Sequence, residues 1–495
     1  QDWVQIMCQD GVKMIKEINT WGPVLEKDAK GNLNRFIGRA HVITRIINMD
    51  AYQVMHILRK KMEAKGVVIR DRAMITDLLT EDGCQPTRSR VVGAVGLDTR
   101  TAEPLTFKAK AVVIATGSTG LFGGDMVCLS GDGHGIGFRA GAELTGMEFI
   151  RWWGEWTFEK KCQAGHMNPW QALRVAFTNK NGDRFFDKYF PELQERVREQ
   201  DIGAAIGKEV LEGRGPIYAD FRFASGADWD WIRKSAPNRH VVRTLEMAGF
   251  NLTKDRLRYD LVTGWMWCLS SGIRNNIYTE SNIPGLFAVG QAGGYPTHGT
   301  YSVGGVNIAT CFISGSRAGE FSARYTKDCP DVTVDRDQVR QLQEVALQPL
   351  KVKRGIKGQE LRERAGKFLG AAKLSFFFNE KNLRTKLEGI RGFQALLPEV
   401  RAENPHELIK ANSIENWLLC AELSILASLD RKEARGPLLR TDYPYMDNIN
   451  WMKRIVQVRG DKGDIINKIV PIPIHRWPVK PKFEKIPYYF PMPKI

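Results

Sequence analysis

The sequence predicts an α/β fold with α+β insertions, in which a parallel-sheet domain is interrupted by an inserted domain and followed by a helical domain. Two short apolar runs, 111–115 and 285–290, lead into glycine-containing turns, which is typical of strands buried on both faces of a parallel sheet. The chain between these runs is rich in tryptophan and changes composition at about residue 131. From about 335 to 432 the apolar residues follow the spacing of amphipathic helices.

The elements before the first apolar run are predicted in chain order. Residues 1–65 show helical spacing of apolar residues, and Gly66 ends that pattern before a short strand at 67–70. Three apolar runs separated by turn residues predict an antiparallel meander, at 75–79, 91–97 and 105–109. The predicted domains are the first part of the sheet domain at 1–130, the inserted domain at 131–275, the returning part of the sheet domain at 276–329, the helical domain at 330–450 and an extended tail at 451–495.

Composition excludes several classes of protein. No run approaches the roughly 20 consecutive apolar residues of a membrane-spanning helix, so no direct membrane span is predicted. The eight cysteines form no CxxC pair, which predicts no metal site and fits reduced thiols in the cytoplasm. The net charge of +16 favours an acidic protein partner or an anionic small-molecule substrate. Without any nucleic-acid-binding motif, no nucleic-acid partner is predicted.

Two glycine-containing segments near the first apolar run are candidates for ligand binding. Ala115, Thr116 and Gly117 follow the predicted strand, where a glycine lets the backbone approach a flat or phosphorylated ligand closely. Asp132 stands between glycines just before a predicted helix, and its carboxylate can accept hydrogen bonds from ribose or adenine. The alternative for Asp132 is a helix N-cap with a flexible entry.

A third segment combines a strand end with a helix start. Gly290 and Gln291 end the second apolar run, so a strand delivers a polar side chain there. Gly305 lies in a Gly-Gly pair that opens a helix containing Asn307 and Ile308. The amides at such a helix start stabilise negative charge, which suits a reduced flavin ring.

In this order and spacing, the three segments resemble the fumarate reductase, succinate dehydrogenase and aspartate oxidase flavoprotein family. Further matches are Asn179 with 182–185, Arg435 with Gly436, and 440–444. The resemblance implies a Rossmann-like FAD domain interrupted by a capping domain, and a flavoprotein that acts as an FAD-dependent oxidoreductase. It also implies an iron–sulfur electron-transfer subunit in a hetero-oligomer, with any peripheral membrane association made through a partner. The implied FAD contacts are Ala115, Thr116, Gly117, Asp132, Gly290, Gln291, Gly305, Asn307 and Ile308.

The sequence departs from the family pattern at its start and in one cofactor contact. Family members open with a strand and GxGxxG, whereas this sequence begins at Gln1 without that motif. An N-terminal segment is therefore expected to be missing or supplied by another chain. Gln291 stands where the family usually has glutamate, so it offers hydrogen bonds without charge.

The expected substrate site departs from the family as well. Trp267 occupies the position of a family histidine, Ser302 stands where the family has one arginine, a second family arginine aligns near Ala204, and His298 persists. These changes predict an anionic or planar substrate other than a dicarboxylate. An adenylylsulfate reductase-like enzyme and a scaffold or electron-relay subunit without turnover remain alternatives. The candidate catalytic residues are His298, Trp267, Arg151 and Arg274.

Overall fold

The computed structural model describes residues 2–36, 46–120, 130–149, 151–156, 175–234, 239–266, 271–295 and 305–493. The helices are α1 (Asp2–Asn19), α2 (Ala51–Ala64), α3 (Asp132–Ala140), α4 (Phe186–Tyr189), α5 (Glu199–Leu211), α6 (Gly226–Lys234), α7 (Arg239–Met247), α8 (Val306–Lys327), α9 (Arg336–Leu347), α10 (Gly358–Leu369), α11 (Ala372–Ser375), α12 (Glu380–Gln394) and α13 (Pro405–Asp430). The strands are β1 (Arg35–Phe36), β2 (Ile46–Ile47), β3 (Ala73–Thr80), β4 (Val91–Asp98), β5 (Pro104–Lys108), β6 (Val112–Ile114), β7 (Thr119–Gly120), β8 (Leu144–Thr145), β9 (Arg151–Trp156), β10 (Ala176–Thr178), β11 (Tyr218–Asp220), β12 (Arg256–Met266), β13 (Gly272–Ile273), β14 (Leu286–Ala288), β15 (Ile356–Lys357), β16 (Val400–Arg401), β17 (Tyr445–Asp447), β18 (Lys453–Arg459), β19 (Ile465–Pro471) and β20 (Lys485–Pro487). Across these described ranges, none of the helices combines the length and apolar character needed to cross a membrane.

The two apolar runs form neighbouring parallel strands. β6 pairs with β14 so that Val112 lies opposite Leu286 and Ile114 lies opposite Ala288. Leu286 and Ala288 are buried, but Val113, in the middle of β6, is 40% exposed. The prediction that the first run is buried on both faces is therefore wrong at Val113, whose side chain the described residues leave partly exposed.

The predicted meander is confirmed. β4 pairs antiparallel with β3 on one side and with β5 on the other. Its glycines allow close approach of the neighbouring strands: a Cβ on Gly96 would lie 2.2 Å from the carbonyl oxygen of Met74. The alternation of apolar and turn residues was therefore a sufficient signal for this sheet.

The N-terminal region differs from its prediction in two places. Helix is present at 2–19 and 51–64, but the described residues between them form turns and the short β1–β2 pair. Gly22, with φ of 115°, and Pro23 prevent helix continuation after α1. Residues 67–70 form no strand, and Val68 is 90% exposed. A strand requires a hydrogen-bonded neighbour, and the described residues provide none for this segment.

One large buried cluster joins the sheet to the helical domain. It contains Leu78 of β3, Phe138 of α3, Ala288 of β14 and Trp417 of α13. The indole N–H of Trp417 donates a hydrogen bond to the carbonyl oxygen of Gly120, at the end of β7. Helix α13 is therefore part of the core on which the predicted ligand-binding segments rest.

A second buried cluster lies in the tryptophan-rich part of the chain. It contains Phe177, Phe221 and Tyr259, and it is completed by Phe377 from the helical domain and Phe490 from the tail. The Phe490 ring stacks on Phe377, with centroids 6.4 Å apart. The inserted domain therefore shares its core with two segments that lie far from it in sequence.

Candidate functional site

The carboxyl ends of β6 and β14 meet at one edge of the sheet. The amide of Val289 donates a 2.9 Å hydrogen bond to the carbonyl oxygen of Ile114, so the parallel pairing extends to the last residue of β6. Beyond this point Ala115 and Thr116 are exposed. Gly117 has a φ of 78°, a left-handed conformation that favours glycine. The predicted segment 115–117 is thus an accessible turn at the end of a strand.

The start of α3 packs directly against this turn. Gly131 precedes the helix with a φ of 75°, and Asp132 is the first helical residue. A Cβ on Gly133 would lie 2.1 Å from Thr116 Oγ1 and 2.6 Å from Ile114 Cγ2. Since only glycine fits there, the loop carrying Asp132 is held against the end of β6.

The segment after β14 lies on the other side of the same turn. Ser118 Oγ donates a 3.4 Å hydrogen bond to Gln291 Oε1. The amide of Gly290 donates to Ser314 Oγ in α8, at 3.0 Å. Gly290 has a φ of 57°, so its conformation also favours glycine. The side chain of Gln291, predicted to lie at this strand end, therefore faces the residues that follow β6.

The start of α8 is fixed to β14 through aromatic packing. Gly305 is the N-cap, with a φ of 80° and no side chain to accept from the first amides. Val306 packs against Trp3 and Tyr295, and the hydroxyl of Tyr295 donates to the carbonyl oxygen of Ala288 in β14, at 2.7 Å. In the part of the chain that the structure describes, the N-cap residue of this helix provides no side-chain acceptor for its first backbone amides.

Together these features are of the kind that bind the ribose and phosphate groups of a nucleotide. Close-approach glycines, a carboxylate and a helix start without a side-chain cap surround the end of a parallel strand pair, where open α/β sheets bind nucleotides. The sequence profile of the FAD binding domain family matches residues 1–308, more than half of the chain. The chain belongs to the FAD binding domain family. The profile described as fumarate reductase flavoprotein C-term matches residues 371–486.

Related proteins support the same assignment. The chain is 24% identical over 462 residues to a subunit of the fumarate reductase (CoM/CoB) of Methanothermobacter marburgensis, with 89% of this chain and 80% of that protein covered. It is 24% identical to the fumarate reductase flavoprotein subunit of Mycobacterium tuberculosis, with 97% and 85% covered. It is 23% identical to L-aspartate oxidase of Bacillus subtilis, with 93% and 81% covered. The family predicted from the motifs is therefore confirmed.

Solved structures confirm the fold class of this FAD binding domain protein. An FrdA variant of E. coli quinol fumarate reductase gives a TM-score of 0.82 at 20% identity and covers 97% of this chain and 85% of that chain. Adenylylsulfate reductase of Archaeoglobus fulgidus gives 0.76 at 19% identity and covers 96% and 83%. At these identities the likeness concerns the fold alone. With the family match, it establishes a flavoprotein of the FAD-dependent oxidoreductases, with FAD as its cofactor.

The four candidate catalytic residues are described to different extents. His298 and Trp267 lie outside the described residues, and Arg151 begins β9 but its side chain is not described. Arg274 Nη1 donates a 2.5 Å hydrogen bond to Glu143 Oε2, and its side chain is 44% exposed. Arg274 is therefore engaged in an ion pair at the surface. The catalytic roles of all four remain predictions.

His134, in the first turn of α3, is a buried residue that sequence analysis did not single out. Its ring is fully buried, with Nδ1 lying 3.3 Å from Thr119 Oγ1 and Nε2 without a hydrogen-bond partner in the described structure. A Cβ on Gly272 would lie 3.0 Å from Nε2, so the ring borders the start of β13. Burial lowers the pKa of His134 to about 4, and the imidazole is therefore neutral at pH 7.

Replacing His134 by leucine should remove part of the acid sensitivity of the fold. The unfolded imidazole binds a proton near pH 6.5 and the folded one near pH 4, so its contribution to stability is present above 6.5 and is lost as the pH falls. Between pH 7 and 5.5 this loss amounts to about 1 kcal/mol. Urea unfolding followed by circular dichroism at both pH values measures it, with the exposed His406→Leu as control. An unchanged pH dependence in His134→Leu would contradict the assignment.

Three polar residues that were not predicted from the sequence contact the site from its buried side. Ser118 and Ser314 bond to the segment after β14, and Asn416 in α13 bonds to Asp132. The sequence does mark Ser314 and Asn416 as unusual, because each is a polar residue at a position that the helical spacing assigns to the apolar side of a predicted helix. Their partners lie far away in sequence, so the pattern alone could not name them.

Proposed function

We propose that this chain is the flavoprotein subunit of an oxidoreductase that passes electrons between an iron–sulfur partner and a small anionic or planar substrate other than a dicarboxylate. The proposal is carried by the meeting of Thr116, Asp132 and Gln291 around one pair of strand ends in an FAD binding domain protein. Relatives that are themselves named as subunits support a hetero-oligomer.

In this proposal each residue of the site has a distinct task. Bound FAD supplies hydride or electron transfer. The turns at Gly117 and Gly290 let the backbone approach it closely, and the Asp132 carboxylate accepts hydrogen bonds from its hydroxyl groups. Gln291 contributes an uncharged amide. The backbone amides that follow Gly305, in the first turn of α8, stabilise negative charge on the reduced ring, and this turn carries Asn307 and Ile308.

The substrate class follows from the residues that replace the family's polar groups. Each missing guanidinium removes a charge-assisted contact of about 1.5–3 kcal/mol, which disfavours a dicarboxylate. Trp267 offers an aromatic face for a planar substrate, and His298 is assigned to bind or protonate it. Arg274 is paired with Glu143, and Arg151 remains a candidate to contact an anionic group.

Anaerobic spectroscopy of the purified protein tests this proposal. We expect a flavin absorption band that succinate does not bleach and, after photoreduction, oxidation of the flavin by an oxidised ferredoxin but not by fumarate. Bleaching by succinate would contradict the substrate class. A colourless protein that also fails to bind added FAD would contradict the redox function and favour a scaffold subunit.

An adenylylsulfate reductase-like activity is the second candidate. It is favoured by the sequences of the 298–310 loop and of the segment 440–444, which resemble the alpha subunit of adenylylsulfate reductase more than they resemble succinate dehydrogenase. Adenylylsulfate reductase has been solved with sulfite as a covalent adduct. If this candidate is correct, sulfite with AMP will change the flavin spectrum, and sulfate will not.

A further inference from the structure

Asn416 is a polar residue on the buried side of α13. It is 2% exposed, and its neighbours Ile414, Trp417 and Leu418 belong to the main apolar cluster. An amide in such surroundings is costly unless its oxygen and nitrogen both form hydrogen bonds. The hydrogen-bond partners of Asn416 therefore indicate why a polar residue occupies this buried position.

The side chain of Asn416 connects a cation to the carboxylate at the FAD site. Its Oδ1 accepts from Arg139 Nη1 at 2.6 Å, and its Nδ2 donates to Asp132 Oδ1 at 2.8 Å. Because arginine can only donate and an ionised carboxylate can only accept, this orientation of the amide is the one that satisfies both partners. The positive charge of Arg139 is thus directed toward Asp132 through a polarised amide.

Both ends of this connection are fixed. Arg139 Nε donates to Asp77 Oδ1 at 2.9 Å, which ties the connection to β3. The other oxygen of Asp132 accepts from Ser130 Oγ. A Cβ on Gly135 would lie 2.1 Å from Asn416 Oδ1, so α3 and α13 approach as closely as glycine permits. Little room remains for either side chain to reorient.

We infer that Asn416 is a positioning residue that holds the Asp132 carboxylate in the orientation in which it binds FAD. The inference rests on the proposed function, because it requires Asp132 to contact the cofactor. A carboxylate fixed before binding loses less conformational freedom when a ligand hydroxyl arrives, so fixing it increases affinity. Asn416 therefore contributes to FAD binding without touching FAD.

The dissociation constant of FAD, measured by fluorescence on the apoprotein, tests this inference. Asn416→Leu should weaken FAD binding about 10-fold, the effect of losing one hydrogen bond to a charged group. The matched control is Asn412→Leu, one turn earlier on α13, where the amide donates to the carbonyl oxygens of Ala346 and Leu408 instead. The control should bind FAD as the wild type does. Equal affinities of the two variants would overturn the inference.

A double-variant cycle separates positioning from a general structural effect. Asp132→Asn alone should weaken FAD binding. The double variant Asp132→Asn with Asn416→Leu should weaken it by a smaller factor than the product of the factors measured for the two single variants. Effects that simply multiply would overturn the inference. If Asn416→Leu does not fold, Asn416→Asp keeps the side-chain volume but turns an acceptor toward Asp132, and it should lower affinity where Asn412→Asp does not. A wild type that binds no FAD refutes the proposed function itself, whereas unaltered binding by the Asn416 variants refutes only the positioning role.

Discussion

Replacing Arg431 by leucine is expected to lower the free energy of unfolding by about 3–5 kcal/mol. Arg431 is 1% exposed and follows the last residue of α13. Its guanidinium donates to Glu148 Oε1 at 2.9 Å and to Glu433 Oε1 at 2.8 Å, and both carboxylates are also buried. Leucine would leave Glu148 without its cation in a region where water cannot replace it.

Urea unfolding of Arg431→Leu beside Arg391→Leu measures this effect. Arg391 pairs with Glu422 on the surface, where its side chain is 59% exposed, so its loss should cost at most about 1 kcal/mol. Burial raises the pKa of Glu148, while Arg431 lowers it. Without Arg431 this pKa rises further, so the variant gains stability relative to wild type as the pH falls and Glu148 takes up a proton. Equal losses in the two variants would contradict the role of the buried network.

The Arg431 network also links distant parts of the fold. Glu148 lies between β8, which borders the main buried cluster, and β9. Arg431 Nη2 donates at 2.9 Å to the carbonyl oxygen of Lys453, at the start of β18. The residue that follows α13 thus joins the segment between β8 and β9 to the start of β18. Replacing Arg431 should therefore loosen both its contact with Glu148 and its contact with Lys453.

The parts of the fold that sequence predicted well are those with a local signal. The meander shows apolar runs separated by turn residues, and the β6–β14 pair shows short apolar runs that lead into glycine-containing turns. Residues 67–70 carry the same local signal but form no strand, because strand formation also requires a partner. Local pattern therefore identified candidate strands, and pairing decided which of them formed.

The features of the candidate site also divide into those with a local sequence signal and those that depend on distant partners. Glycines with positive φ, such as Gly117 and Gly290, could be predicted because close backbone approach restricts the residue type. The bond between Asn416 and Asp132 joins residues 284 positions apart, and no periodicity encodes such a contact. His298 and Trp267 lie outside the described residues, so their proposed roles stay predictions. Non-local hydrogen bonds are thus the part of the site that required a structure.

Replacing Gly133 by alanine is expected to weaken FAD binding on the order of 100-fold. The new methyl group would lie 2.1 Å from Thr116 Oγ1 and 2.6 Å from Ile114 Cγ2. Rotation of the exposed Thr116 side chain relieves only the first contact, because Ile114 is 6% exposed and held in the core. The first turn of α3 must then move away from the end of β6 and carry Asp132 with it.

Reconstitution of the apoprotein with FAD measures the loss, and Gly319→Ala provides the matched control. Gly319 lies within α8, and a Cβ added there would meet no described atom within 4 Å beyond the backbone of its own helix. Alanine at this position should therefore leave FAD affinity unchanged and stabilise the helix by up to about 1 kcal/mol. If Gly133→Ala binds FAD as tightly as Gly319→Ala does, the start of α3 does not border the cofactor. Weaker binding in Gly133→Ala alone would locate FAD where the two parallel strands end, since the clash acts on that turn and leaves α8 in place.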